Sequence, residues 1–325
     1  MDTTTDRAHH RRQGFANVPP SHPPGLRAVL RWQWERRRKR RPDTGGFQWR
    51  VARPELAFLA ANRRVACATW IGHATVLVQA GGFNLLTDPQ FSERASPAQW
   101  AGPRRTVPPT PSLDALPAID AVLISHDHYD SLDAASVRAL HRRNPGTIRF
   151  FVPLGLKRWF RRRGITTVTE LDWWESRRFD TLEVTCVPAR HWSQRGPPGR
   201  NRTLWAGWAV RAGNLRFLFA GDSAYPGHFR EIGARLGPFD LAALPIGAYE
   251  PRWFMTHHMT PEEAVAAHRD LRARQSMAIH WGTFALSDEP LDEPPRRLDR
   301  ARRRAGLDGR AFMVPDFGQT LRLFP

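Results

Sequence analysis

At 325 residues the chain has room for one large domain or two small ones with a sizeable buried core. With 41% hydrophobic residues and 13 Trp it reads as globular, and no apolar run nears the ~18–20 residues that would span a bilayer. A net charge of +18 at pH 7 draws such a chain to polyanions, either nucleic acid or an anionic membrane face, unless it only reflects arginine-rich codon usage in the host.

The opening MDTTTDRAHHRRQ has no apolar segment, so no secretory signal is predicted. The expectation is a cytoplasmic protein that at most lies peripherally on the inner face of the membrane. Residues 1–24 are polar and Pro-rich and read as a mobile arm. Across 25–41, Leu26, Val29, Leu30 and Trp34 share a helical face ahead of a basic block at 36–41. That pattern suits either a bilayer surface or a helix docked on the core. The first 45 residues are therefore expected to form a basic, partly disordered arm with an amphipathic helix, a linker falling at 42–46. Residues 46–325 are expected to form the globular domain.

From Val65 the text reads as strands around a Gly81-Gly82 turn, then a long loop over 91–111. A helix over 132–144 has Asp133 as its N-cap, followed by a strand over 148–154, a basic helix over 155–163 and a strand over 167–171. Runs 204–210 and 215–222 pair around Gly213-Asn214, and 239–246 is another buried strand. Thr260 caps a helix over 261–272 whose first turn holds Glu262 and Glu263. An arginine-rich helix over 295–305 precedes last strands near 311–314 and 320–324. Cys67 and Cys186 both fall in strands and are expected to be buried free thiols. Strands and helices alternating in two halves fit a four-layer α/β/β/α sandwich.

Within that frame, AVLISHDHYDSLD (121–133) runs from a buried strand into His126, His128 and Asp130. Alternate residues of an extended backbone point the same way, so His126 and His128 can share one ion, with Asp130 reaching a second. Imidazole and carboxylate suit zinc and related divalent metals. LEVTCVPARH ends in His191, LRFLFAGD in Asp222 and SMAIH in His280, each at the end of a predicted strand. Sites built at strand ends are usual in layered α/β folds, so these residues are expected to meet at one metal site.

The order of these residues resembles the metallo-β-lactamase superfamily. TWIGHATVLV (69–78), LLTDPQFSERASPAQWAGPRR (85–105), ELDWWE (170–175), GPFDLAALPIGAYEPRWFM (237–255) and SMAIHWGTFAL (276–286) resemble its N-acylphosphatidylethanolamine-hydrolysing phospholipase D branch. The resemblance runs from about Arg27 to the C-terminus. It implies the four-layer αββα fold and a zinc phosphodiesterase that releases N-acylethanolamine and leaves phosphatidate at a membrane surface. It puts His126, His128 and His191 on a first Zn2+, Asp130 and His280 on a second, and Asp222 between them. His73 and Asp88 are implied to lie close by and orient the ligands. The family carries a histidine after the Asp of the motif, where this chain has Ser131, so the second ion is short of one donor and the count is one or two per chain. Asp130, Asp222 and His258 are the expected catalytic groups. Tyr249, Arg252, Trp253 and His258 are expected against substrate, Arg252 clamping a phosphate oxygen and His258 positioning substrate or shuttling a proton. His257 and His228 read as surplus surface imidazoles. The implied partners are a phospholipid substrate, an anionic membrane and, in this branch, a second copy in a homodimer. The competing readings are another hydrolase of the superfamily (a lactonase, or a nuclease drawn to nucleic acid by the positive charge) and a metal-poor lipid-binding protein.

Overall fold

The computed structural model describes residues 7–21, 26–38, 47–196, 199–225 and 227–323. The expected linker at 42–46 and the basic block beyond residue 38 lie outside them.

Two seven-stranded sheets face one another. The first runs Thr320–Arg322, Cys67–Gly72, Thr75–Ala80, Phe83–Thr87, Ala121–Leu123, Arg149–Pro153 and Val168–Leu171, antiparallel up to Phe83–Thr87 and parallel beyond it. The second runs Ser176–Phe179, Leu182–Val187, Gly207–Ala212, Leu215–Phe219, Leu241–Pro245, Gln275–Ile279 and Phe312–Met313, with the same change from antiparallel to parallel pairing.

Alternation along the strands fills the layers. Val76, Val78 and Ala80 face the core between the sheets, where they join Trp208, Val210 and Phe217 of the second sheet. Leu77 points the other way, into a second core with Val122, Phe150 and Val152. That outer core is closed by Val137 and Leu140 of the helix Ala134–Arg143 and by Phe160 of the helix Lys157–Arg161. Fully burying each such side chain stabilises the fold by about 1.5–3 kcal/mol. On the opposite side the helices Pro261–Asp270 and Glu293–Arg304 pack together, and their Ala264, Val265, Leu298 and Ala301 are buried in a layer continuous with the inter-sheet core. The αββα order expected from the sequence is present.

Local chemistry sets the helix starts. Asp133 accepts from the backbone N–H groups of Ala135 and Ser136, and Thr260 forms a capping box with Glu263. Cys67 and Cys186 are buried free thiols.

The arm differs from its expectation. Residues His10–Arg11 and Gly14–Phe15 pair as a small hairpin, and His9 and Asn17 are buried against the body. His9 and His10 clasp the two oxygens of Asp172 at 2.6 and 2.7 Å, and the His9 ring stacks on Trp173. Polar text docks here because its polar atoms find partners far along the chain. The following helix, Leu26–Arg38, lays Trp32 against Trp253 and Phe254, and Arg36 donates to the carbonyls of Ala285, Leu286 and Ser287. Leu30 and Trp34 face solvent at 55% and 52% exposure, so one side of the helix docks and the other stays open. No helix among the described residues is long and apolar enough to cross a membrane.

Candidate metal centre

Four strand ends meet at one rim, as the sequence implies. His126, His128 and Asp130 follow Ala121–Leu123, His191 follows Leu182–Val187, Asp222 follows Leu215–Phe219, and His280 follows Gln275–Ile279. His126 Nε2 and His191 Nε2 lie 2.8 and 3.1 Å from His128 Nδ1. Asp222 Oδ2 lies 3.7 Å from His126 Nε2, 3.9 Å from His191 Nε2 and 3.0 Å from His280 Nε2. Asp130 Oδ2 is 3.5 Å from His280 Nε2 and 3.2 Å from His73 Nε2. Two separate groups therefore adjoin the Asp222 carboxylate: three imidazoles on one side, and His73, Asp130 and His280 on the other.

Neighbouring groups fix how the rings point. The Ser125 hydroxyl donates to Asp88 Oδ2 at 2.5 Å, and the Ser125 backbone N–H donates to Asp88 Oδ1 at 2.7 Å. Ser125 Oγ is thereby free to accept from His126 Nδ1 at 2.8 Å, which turns the Nε2 lone pair toward the centre. His191 Nδ1 donates to the His257 carbonyl at 3.0 Å with the same result. Asp88 thus holds Ser125 where it sets the direction of the His126 ring.

The backbone is bent to make this rim. His73, Asp88 and His280 all hold φ in the left-handed region, at 52, 29 and 57°, where non-glycine residues are strained. Gly221, at φ 60°, has its backbone so close to Ser125 that a Cβ would meet the serine Cβ at 2.6 Å.

Charge divides the two groups. Burial, then the neighbouring His128, holds His126 well below its ordinary range, and burial followed by His191 lowers His128 to about 4. These rings are neutral at pH 7, the state that offers a lone pair to a metal. Burial alone would also lower His280, but the Asp222 charge and contacts with Asp130 push it up to about 10. Burial would raise Asp222 and Asp130, yet His280 holds both well below the usual carboxylate range, with His73 assisting at Asp130.

The donor set fits divalent metal. Asp222 Oδ1 and His258 Nδ1 are buried without hydrogen-bond partners, unsatisfied polar atoms of a kind that ordinary packing avoids, and His191, Asp222 and His258 bring donor atoms within 4.8 Å of one another. Among the described residues His126, His128 and His191 would hold one ion, and Asp130, Asp222 and His280 border a second position.

The other expected residues divide. His258 is buried, with its ring 4.9 Å from His191 and 5.3 Å from His280, so it belongs to the centre. Burial, then His191, keeps it well below its ordinary range and hence neutral. Arg252 is exposed in the short helical turn Arg252–Thr256, and Trp253 packs edge-on against Trp32. Tyr249 corrects the expectation of a substrate contact: it is fully buried, donates its hydroxyl to Glu293 at 2.9 Å and lies under the Arg297 guanidinium. His257 likewise is not a surface imidazole but is buried, and its carbonyl orients His191. His228 lies 3.2 Å from the Ser223 hydroxyl. Ser131 is fully buried beside Asp88.

Sequence reasoning missed Asn17, whose side chain donates to the His191 carbonyl at 2.8 Å while accepting from the Trp205 indole at 3.0 Å. An isolated asparagine in a polar arm carries no signal of this.

Comparison with known proteins identifies the family. Residues 83–281 match the family model described as the Beta-lactamase superfamily domain. The chain is 47% identical over 268 residues to N-acyl-phosphatidylethanolamine-hydrolyzing phospholipase D 1 of Caenorhabditis elegans, covering 78% of this chain and 74% of that one. An uncharacterized Mycobacterium tuberculosis protein is 49% identical over 71% of this chain, which spans 62% of its length. Among solved structures, the Ignicoccus hospitalis metallo hydrolase Igni18 shares the fold at TM-score 0.61 and 22% identity, over 79% of this chain and 98% of that one. A metal-dependent hydrolase by fold and relatives, the chain belongs to the metallo-β-lactamase superfamily, in its N-acylphosphatidylethanolamine-hydrolysing phospholipase D branch.

Proposed function

We propose that the chain is a zinc-dependent phosphodiesterase that cleaves N-acylphosphatidylethanolamine on its alcohol side, releasing N-acylethanolamine and leaving phosphatidate, at a membrane surface. The observation that carries this reading is Asp222, whose Oδ2 faces His126 and His191 at 3.7 and 3.9 Å and His280 at 3.0 Å, a carboxylate placed to serve two ions at once. Bound divalent metal supplies a lowered water pKa, near ~7, and charge against the attacking and leaving oxygens of a phosphodiester. Asp130 and Asp222 hold the cationic side of the site. His258, neutral and buried among the ligands, is placed to accept a hydrogen bond or proton from substrate or water. Arg252, exposed on the neighbouring turn, offers a fork for a phosphate oxygen.

The helix Leu26–Arg38 ties this turn to a membrane. Its docked side covers Trp253 and Phe254, while Leu30 and Trp34 remain open among arginines, an arrangement suited to an anionic interface.

Long-chain N-acylphosphatidylethanolamine in micelles and a structured RNA, each with added zinc, test the reading. Release of N-acylethanolamine with intact RNA supports it; RNA cleavage without lipid cleavage gives the centre to a nuclease. Replacing Leu30 and Trp34 together by alanine is expected to weaken binding to anionic vesicles about tenfold or more while sparing hydrolysis of a short-chain soluble substrate.

A further inference from the structure

Ser131 removes an imidazole from the second metal position, and its hydroxyl is buried beside Asp88. We propose that His73 takes the missing place, as a direct ligand of the second ion reaching in from the other side of the centre. The inference rests on the two-ion reading above.

His73 Nε2 is 3.2 Å from Asp130 Oδ2, which is 3.5 Å from His280 Nε2, which is 3.0 Å from Asp222 Oδ2. Ligand atoms at ~2.0–2.1 Å around tetrahedral zinc are separated from one another by about 3.3 Å. The three spacings scatter around that edge length, and with His73 counted these residues would offer four donors where the sequence motif alone offers three. His73, Asp130 and His280 place their donor atoms within 4.8 Å of one another.

The fold also fixes where His73 stands. It occupies the turn between Cys67–Gly72 and Thr75–Ala80, at φ 52°. Its N–H donates to Thr283 Oγ1 at 2.7 Å, and its carbonyl accepts from the Trp70 indole at 2.9 Å and from the His280 N–H at 3.0 Å. The last bond locks the two histidines in register, with their rings 4.1 Å apart. A strained backbone tied at both polar groups delivers the side chain to a fixed point, as a ligand position requires. His73 is 1% exposed, so it has no role at the surface to explain it.

The test is metal content and affinity in the full chain. Wild type, His73→Gln and His73→Ala are loaded with Zn2+ or Co2+, and metal per chain is measured by elemental analysis with competition against a chelator; circular dichroism checks folding. Two ions in the wild type and one in the folded variants, with second-ion affinity down more than about 100-fold, is the expected result. A loss confined to about 10–100-fold is the range of a group acting through another ligand and overturns the proposal. So does a folded variant that keeps both ions. Adding Ser131→His to His73→Gln is expected to bring the second ion back; a double variant that stays at one ion also overturns it. A wild type that binds a single ion sinks the two-ion reading itself, and the proposal with it.

Discussion

The two halves of the metal centre are built on different physics. On one side His126, His128 and His191 are neutral imidazoles, two of them aimed by hydrogen bonds from behind, through Ser125 and Asp88 in one case and the His257 carbonyl in the other. On the other side, His280 sits between Asp222 and Asp130 and is held as a cation up to about 10. The first half is built to present lone pairs, whereas in the second a raised His280 balances two carboxylates. The lesson is that preparing a lone pair and balancing a charge are separable tasks, and that a metal at the charged half would have to displace a proton.

Breaking the neutral half has the largest expected effect. His191→Ala removes a ligand outright, and hydrolysis is expected to fall by more than about 100-fold with loss of the first ion, checked by turnover and metal content together. Retained turnover would show that this histidine holds nothing the reaction needs.

Asp88→Ala sharpens the comparison by removing an orienting group and no ligand. Ser125 then loses both of its acceptors, and affinity at the imidazole site is expected to drop about 10–100-fold while the second position is little changed. Chelator competition on both sites reads the difference; equal losses at both would mean the halves are not separately supported.

The smallest effect concerns the charged half without metal. Because His280 is raised from its ordinary 6.5 to about 10, its contribution to stability is fully present below pH 6.5 and lost as pH rises through about 10. The melting temperature of chelator-treated protein is therefore expected to fall across that window more steeply than that of His280→Gln. Parallel profiles would show that the ion pair contributes nothing to the fold.

The convergence at the rim was legible because a buried strand writes itself as a short apolar run, and His126, His191, Asp222 and His280 each stand where such a run stops. Asp133 and Thr260 were legible as caps for an equally local reason. What could not be read depends on partners remote in the chain. Tyr249 follows a strand and looks like a pocket wall until Glu293, from a later helix, claims its hydroxyl. His257 acts through its carbonyl, and a backbone atom has no letter in the sequence. The arm at 7–21 has the composition of a mobile tail, and only Asp172, more than 160 residues on, gives His9 and His10 a place to dock.

Asn17 gives that docking a practical edge. Its side chain bridges the Trp205 indole and the His191 carbonyl, so the front of the chain is a splint for His191. Trimming such a polar leader is a common way to tidy a protein for crystallisation or expression. Here the shortened version would leave the His191 carbonyl and the Trp205 indole without the Asn17 amide, and any weakness it showed would be blamed on the protein and not on the scissors.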